Sequence, residues 1–152
     1  MKKTVLIAAC LLTLLLLCSC RATQQNQTEV TETMHSENEQ TVTVINEVKE
    51  ADIWLLPDTE ANRKTTLWGT ATAAKVSTGE SRTAPLCEAG DNGHYLLRMI
   101  DSDSFYYSAN DISLKAGDTL TIKGNEDGGA SAAVTDESGK VLATYDVFSA
   151  RL

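Results

Sequence analysis

Short runs of alternating apolar and polar residues, separated by turn residues, fill the chain from residue 41 onwards and limit what it can fold into. The segment Thr41-Val42-Thr43-Val44 alternates with a period of two, which is the spacing of a strand with one buried face. Seven further runs indicate strands, at 51–56, 81–87, 94–100, 105–108, 119–123, 131–135 and 141–148. No segment after residue 40 has a helical period, and residues 70–75 fit either a strand or one helical turn.

Turn residues lie between these runs at the spacing of hairpins. The strongest signal, Asp91-Asn92-Gly93, predicts a hairpin between runs 81–87 and 94–100, because Asn-Gly tolerates the positive φ angles of a tight turn. Further turns are expected at 101–104, 124–129 and 137–139. Eight or nine short strands at this spacing predict an all-β domain over residues 41–152. We expect a single antiparallel β-sandwich, immunoglobulin-like or similar.

The first twenty residues have the layout of a secretory signal peptide. Lys2 and Lys3 precede an apolar run at 5–17. This run of 13 residues is shorter than the roughly 17–25 residues of a membrane-spanning helix. The segment that ends it, Leu17-Cys18-Ser19-Cys20, resembles the lipobox of bacterial lipoproteins.

This resemblance implies that residues 1–19 are a cleaved signal peptide and that Cys20 carries a diacylglyceryl group, with an acyl chain such as palmitate often added to the new amino terminus. Two or three chains hold a protein durably on a membrane, because each buried methylene contributes about 0.8 kcal/mol. The domain would then lie on the extracytoplasmic side of a bacterial membrane. Cys18 as the lipid site and a plain secretory signal are the alternatives.

Residues 21–40 are rich in Gln, Thr, Glu, Asn and Ser and contain almost no large apolar side chains. Such a segment cannot bury enough surface to offset its chain entropy. With the lipidated Cys20, residues 20–40 are therefore predicted to form a disordered tether. A coil of this length spans about 25 Å on average and roughly 70 Å when extended.

Charge and cysteine content narrow the classes of partner. The net charge is −8, so nucleic acid is not an expected partner, since its binding depends on Lys and Arg. Signal cleavage and lipidation would account for Cys10, Cys18 and Cys20, which leaves Cys87 with no partner for a disulfide. Cys87 follows Leu86 in a strand-like run, and we expect it to be buried rather than reactive.

Several short motifs follow one another in the first part of the predicted domain. In chain order they are Val42, Val44 and Asn46; Ile53, Leu56 and Pro57; Trp68-Gly69; Gly79-Glu80-Ser81; and Tyr95, Leu97, Arg98 and Asp101. This order resembles a small β-sandwich module of bacterial secreted proteins and lipoproteins, over residues 41–123. The resemblance implies a fold rather than an activity. Leu96 departs from the pattern, which often has an acidic residue there.

The sequence contains few groups that could catalyse a reaction. The histidines are His35, in the predicted tether, and His94, after the Asn-Gly turn. There is no Gly-x-Ser-x-Gly, His-Glu-x-x-His or phosphate-binding loop motif. We therefore predict that the protein is not an enzyme.

The acidic pair Asp101 and Asp103 is the candidate metal site, and calcium is the candidate ion because it takes clustered oxygen ligands. The segment starting at Asp101 does not match an EF-hand, since Phe105 and Ile112 occupy the positions where an oxygen ligand and Glu are required. The alternative is that these acids bond to backbone amides in a turn. Arg98 is expected either to pair with one of them or to be solvated.

Aromatic residues provide the candidate ligand site. Phe105, Tyr106 and Tyr107 are consecutive, so they cannot all face one core. Together with Trp54 and Trp68, residues Tyr106 and Tyr107 could form a platform for a sugar or a peptide. The alternative is ordinary packing in the core and at the edge of the sheet.

The sequence thus predicts a membrane-anchored bacterial lipoprotein with a non-catalytic β-sandwich domain. Its expected role is binding or structural, in the cell envelope, with an envelope protein or a glycan as partner. No cofactor is expected apart from the covalent lipid on Cys20. The alternative function is a carbohydrate- or calcium-binding module at the cell surface.

Overall fold

The computed structural model describes residues 40–90, 92–126 and 129–152. The predicted signal peptide, Cys20, His35 and all of the predicted tether except Gln40 lie outside the described residues.

Nine strands and one short helix form in the part of the chain that the structure describes. In chain order they are β1 (Thr41–Glu47), β2 (Ala51–Pro57), α1 (Glu60–Lys64), β3 (Ala73–Val76), β4 (Glu80–Pro85), β5 (Tyr95–Asp101), β6 (Phe105–Ile112), β7 (Thr119–Gly124), β8 (Ala130–Thr135) and β9 (Val141–Arg151). The predicted all-β class is confirmed. Residues 70–75, which fitted either a strand or a helical turn, contain most of β3.

The strands form one mixed sheet that is nearly closed into a barrel. Their order is β3-β2-β5-β6-β9-β8-β7-β1-β4, and the two end strands β3 and β4 contact each other. Strands β1 and β7 are parallel, whereas every other hydrogen-bonded pair is antiparallel. A single antiparallel sandwich is therefore not confirmed.

The turn at Asn92-Gly93 does not connect two paired strands. Gly93 has a φ of 77° and its N–H donates to Gly90 O at 2.7 Å, so a turn is present. However, β4 pairs with β1, and β5 pairs with β2 and β6. The predicted hairpin at this position is wrong, because the local turn signal does not determine which strands become neighbours. The predicted turns at 101–104 and 137–139 do join paired strands, and β7 pairs with β8 on either side of the predicted turn at 124–129, of which residues 127–128 lie outside the described residues.

The core lies inside the barrel and follows the alternation of the strands. On β1, Val42 and Val44 are buried, whereas Thr41 and Thr43 are half-buried on the outer face. Ile53, Met99 and Ile122 face the same interior and are fully buried. Burying such side chains contributes about 1.5–3 kcal/mol each, which makes this interior the main source of stability.

Strand β5 is buried on both of its faces. Leu97 and Met99 belong to the interior core, whereas Leu96 is fully buried outside that core and Arg98 is also buried. The segment 58–72 between β2 and β3 covers the outer face, because Trp68 from it contacts both Trp54 and Tyr106. This covered outer face positions the candidate site.

Candidate functional site

Three of the four predicted aromatic residues come together on the outer face of the barrel. Trp54 lies on β2, Tyr106 on β6, and Trp68 in segment 58–72. The Trp68 and Tyr106 rings are stacked, with centroids 5.6 Å apart and planes 16° apart. Trp54 meets Trp68 edge-on, with centroids 5.3 Å apart. These three residues are called the aromatic cluster below.

Both indole N–H groups of the aromatic cluster are bound to the protein itself. Trp54 Nε1 donates to Gly69 O at 3.1 Å, and Trp68 Nε1 donates to Thr65 O at 3.0 Å. The three side chains are half-buried, and the stacking hides one face of Trp68 and one face of Tyr106. A ligand could therefore reach only the remaining ring faces and edges.

Tyr107 is not part of the aromatic cluster. It faces the barrel interior with 8% of its surface exposed, and its hydroxyl donates to Asp101 Oδ2 at 3.1 Å. Burial, and then the nearby Asp101 carboxylate, raises the pKa of Tyr107 to about 12. Tyr107 is therefore a core residue and does not contribute to a surface platform.

Arg98 lies beside the aromatic cluster, and its burial removes a charged group from water. It is the cross-strand neighbour of Trp54, and only 5% of it is exposed. Its guanidinium donates to Leu97 O at 2.8 Å, to Ala109 O at 3.0 Å and to Asn110 Oδ1 at 3.0 Å. Burial lowers its pKa from the usual value. The expectation that Arg98 pairs with a carboxylate of the 101–104 turn, or is solvated, is wrong.

The aromatic cluster continues into exposed apolar residues on the last strand, a feature that the sequence analysis missed. Tyr106 is directly opposite Ala150, so Phe148, Ala150 and Leu152 share its face. Phe148 is 63% exposed and Leu152 is 71% exposed. We call Tyr106, Phe148, Ala150 and Leu152 the apolar band. The alternation of apolar residues at 148, 150 and 152 is the signal that could have revealed it.

The two acidic residues of the candidate calcium site are occupied by protein partners. Asp101 is buried, and its Oδ1 accepts from the N–H groups of Asp103 and Phe105, at 2.9 Å each. Asp103 pairs with Lys49 on the surface. Within the described ranges, no group of three His, Cys, Asp or Glu side chains could hold a metal ion. The Asp101 carboxylate therefore stabilises the turn by accepting hydrogen bonds from its backbone.

A second polar cluster lies at the end of β2. The buried carboxylate of Asp58 accepts from Arg63 Nε at 2.5 Å and Nη2 at 2.8 Å, and from the N–H of Asp111 at 3.2 Å. These bonds, that of Arg63 first, lower the pKa of Asp58 to about 2. Nδ1 of His94 lies 3.9 Å from Asp111 Oδ1 and has no hydrogen-bond partner. Because Arg63 neutralises the Asp58 carboxylate, we interpret this cluster as one that stabilises the fold.

Cys87 lies on the wall of an open groove of about 730 Å³. The groove is also lined by Gln40, Tyr95 and Lys115, and the hydroxyl of Tyr95 donates to Cys87 O at 2.8 Å. Cys87 is exposed and is a free thiol. The prediction of a buried Cys87 is wrong, because β4 ends at Pro85, before the cysteine.

Comparisons with known proteins assign neither a family nor a relative. No protein-family model matches the chain, and no curated protein or solved structure matches it significantly. Of the helices in the described ranges, none has the length and apolar character that crossing a membrane requires.

Proposed function

We propose that this chain is a bacterial lipoprotein whose β-domain has a non-catalytic binding or structural role in the cell envelope. Cys20 is the proposed site of the lipid, and residues 21–40 connect it to the domain. The proposed partner is an envelope protein or a glycan. The single observation that supports a binding role is the exposed apolar band on an otherwise acidic protein, because contiguous apolar surface marks interaction sites.

The position of the apolar band supports presentation of a binding surface away from the membrane. Glu47, at the end of β1, is paired with Lys123 on β7, which is paired with Ser131 on β8, which in turn is paired with Asp146 on β9. Phe148 and Leu152 therefore lie beyond the end of β1, on the side away from Thr41. Thr41 is where the proposed tether enters, so the apolar band is at the opposite end of the domain.

The finer form of the fold is also a proposal. We propose a flattened barrel in which β3, β2, β5 and β6 face β8, β7, β1 and β4 across the core, in the manner of a sandwich. Strand β9 supports this arrangement, since its first part pairs with β8 and its last part with β6. The resemblance to the small β-sandwich module of secreted proteins would then extend to this domain.

The lipid proposal is tested by substituting the two neighbouring cysteines separately. Cys20→Ala should move the protein from the membrane fraction to the soluble fraction and abolish its labelling by a fatty acid, because Cys20 carries the anchor. Cys18→Ala is the matched control, since it changes the same residue type two positions earlier and should leave both readouts unchanged. Retention of the Cys20→Ala protein in the membrane fraction would contradict the proposal.

A second candidate function is glycan binding, which the aromatic cluster favours. Aromatic rings that remain half-exposed can stack on the apolar face of a sugar, and three such rings are within contact here. Cell-wall glycan fragments titrated into the protein should change its tryptophan fluorescence, because both tryptophans belong to the cluster. Unchanged fluorescence with every fragment, while the lipid test succeeds, would leave the apolar band as the binding surface.

A further inference from the structure

The Asn92-Gly93 turn lies between β4 and β5 without joining two paired strands. Both residues are exposed to water. Asn92 is the only Asn in the sequence that precedes Gly, since the six others precede Gln, Glu, Arg or Asp. Gly has no Cβ atom to hinder the approach of its backbone nitrogen to the side chain of the residue before it. The pair therefore has the composition of a site at which a backbone nitrogen attacks a side-chain amide.

The reaction that this pair permits is deamidation, an intramolecular attack followed by hydrolysis. The backbone nitrogen of Gly93 bonds to Cγ of Asn92, and the bond from Cγ to Nδ2 breaks. Nδ2 leaves as ammonia, with the proton that the Gly93 nitrogen loses. Water then opens the cyclic imide at one of its two carbonyl carbons, which gives Asp or its isomer isoaspartate. The net change consumes one water molecule and releases one ammonia molecule.

The structure prepares the carbon that is attacked and holds the attacking nitrogen in a turn. Asn92 Oδ1 accepts from the N–H of His94 at 3.0 Å, and this donor stabilises the negative charge that forms on the oxygen as the ring closes. The N–H of Gly93 donates to Gly90 O at 2.7 Å, so the attack starts from molecules in which this turn is open. We therefore expect Asn92 to react in the folded protein, at a rate that depends partly on this opening.

The amide nitrogen that deamidation removes lies between two carboxylates. Asn92 Nδ2 donates to Asp58 Oδ2 and to Asp111 Oδ1, at 3.4 Å each. Arg63 bonds to the same two carboxylates, with Nη2 2.8 Å from Asp58 Oδ2 and 2.8 Å from Asp111 Oδ1. We call Asp58, Arg63, Asn92 and Asp111 the Asp58 cluster. It joins the residue that follows β2 to α1, to β6 and to the connection between β4 and β5.

We propose that Asn92 is a site of spontaneous deamidation and that the product weakens the Asp58 cluster. An ionised carboxylate has no donor, so the two bonds from Nδ2 become contacts between like charges. Asp58 is 4% exposed, and charges that are buried are screened much less than charges on the surface. The guanidinium of Arg63 then faces three carboxylates instead of two.

The isoaspartate product changes the backbone as well as the charge. It lengthens the main chain directly before Gly93, because the chain then runs through the side chain of residue 92. The next carbonyl, that of His94, accepts from Asp58 N at 3.0 Å and from Gly90 N at 3.1 Å. A shift of this carbonyl would disturb both bonds. Both products therefore weaken the same part of the domain.

The modification is tested by mass spectrometry on the purified full-length protein, kept at mildly alkaline pH and digested with trypsin at intervals. Trypsin releases residues 83–98 as one peptide, which contains no Asn other than Asn92. This peptide should gain the mass that replacement of NH₂ by OH adds, in two products that chromatography separates. Asn110 and Asn125 are the internal controls, since both are exposed and each precedes an acidic residue. Conversion at Asn92 should be at least about tenfold faster, and equal conversion at the three positions would overturn the assignment.

The effect on the Asp58 cluster is measured on the Asp product, made directly as Asn92→Asp. Its melting temperature near neutral pH should be about 5 °C below that of the unmodified protein. Asn125→Asp is the matched control, because it adds the same charge at an exposed Asn in another turn, and it should shift the melting temperature by less than about 1 °C. Equal melting temperatures for the two variants would contradict the effect on the cluster.

Asp111→Asn separates repulsion between carboxylates from loss of the Asn92 donor. The substitution removes one of the two carboxylates beside residue 92, and Asn tolerates the φ of 57° at this position. It should lower the melting temperature less in the Asn92→Asp protein than in the unmodified protein. An equal change in both would show that the carboxylates do not repel each other and would overturn this part of the proposal. None of these measurements depends on the proposed lipid on Cys20.

Discussion

Asp58 connects four parts of the chain through one buried carboxylate. Besides Arg63 of α1 and the N–H of Asp111, it accepts from Asn92 Nδ2 at 3.4 Å. Gly90 passes so close to the backbone of Asp58 that a Cβ atom there would overlap it. Asp58 is 4% exposed, so these bonds replace water as its solvation. The stability of this end of the barrel should therefore depend on the ionised state of Asp58.

The pKa of Asp58 predicts a loss of stability in acid. The folded-state pKa of about 2 is below the value of 3.8 that the group has without its partners. The resulting contribution of about 2 kcal/mol is fully present above pH 4 and is lost as the pH falls from about 4 to about 2. Urea unfolding measured across this range should show that loss.

The matched variants for this prediction are Asp58→Asn and Glu60→Gln. Asp58→Asn should lower the unfolding free energy near neutral pH and remove part of the acid dependence. Glu60 pairs with Lys64 on the surface, where an ion pair contributes little, so Glu60→Gln should leave both unchanged. An identical acid profile for Asp58→Asn and the unmodified protein would contradict this role of Asp58.

Among the elements of the fold, segment 58–72 is held against the sheet by Trp68. Helix α1 is too short to be stable alone, and the residues after it are irregular. What holds them is the stacking of Trp68 on Tyr106, the bond from Trp54 to Gly69 O, and the bond from Leu55 N to Thr72 Oγ1 at 3.0 Å. Removing the ring should therefore uncover the outer face of β5.

Trp68→Ala is expected to destabilise the domain by about 3 kcal/mol, near the low end for removal of a large aromatic side chain, because the ring is only half-buried. Hydrogen exchange should accelerate in residues 58–72 more than in β7 and β8. Leu67→Ala is the matched control, since the neighbouring side chain is 87% exposed and should cost almost nothing. Equal effects of the two substitutions would show that the stack does not hold the segment.

The turn between β5 and β6 permits a test for calcium. Asp101 accepts from two backbone N–H groups and from the Tyr107 hydroxyl, and Asp103 pairs with Lys49. A chelator should therefore leave the melting temperature within about 1 °C of its original value, since protein donors already bond to the carboxylates of this turn. Added calcium is the control and should also have no effect. A drop of several degrees with the chelator, reversed by calcium, would restore the metal site.

The sequence predicts the positions of the strands in this domain better than it predicts which strands pair with each other. Alternation locates the strands, because it records which side chains are buried. The five-residue helix Glu60–Lys64 is missed, although Thr59 accepts from Asn62 N as an N-cap, because one turn has no measurable period. Burial of Arg98 and Leu96 could not be predicted, since it depends on a segment that returns from about 30 positions earlier in the chain.

The parallel pairing of β1 and β7 is the feature of the whole molecule that local patterns could not supply. It joins Thr43 to Thr119 and Glu47 to Lys123, which are far apart in the sequence. The same pairing places β1 between β7 and β4, so β3 and β4 become the two ends of the sheet. Closure of the barrel then depends on the contacts between these end strands.

Asn46 on β1 is bonded both to β3 and to the turn between β3 and β4, so its removal is the sharpest test of the closed arrangement. This fully buried side chain on β1 donates to Val76 O of β3 at 2.8 Å and to Lys49 O at 2.7 Å, and it accepts from Val48 N at 3.0 Å. Its own carbonyl accepts from Gly79 N at 2.6 Å, in the turn between β3 and β4. Asn46 thus connects residues 48–49, which follow β1, with β3 and with the turn that precedes β4.

Asn46→Ala should lower the unfolding free energy by about 3 kcal/mol, because it leaves the buried Val76 O and two partly buried backbone groups without this partner. Amide exchange should accelerate first in β3 and β4, where the barrel would open. Asn125→Ala is the matched control, since Asn125 is exposed and its side chain accepts, among the described residues, one 3.3 Å bond from Ser131. If exchange accelerated evenly over all strands, Asn46 would stabilise the fold as a whole without closing the barrel. Because none of the hydrogen-bonded ladders among the described strands joins β3 directly to β4, selective opening there is the expected outcome.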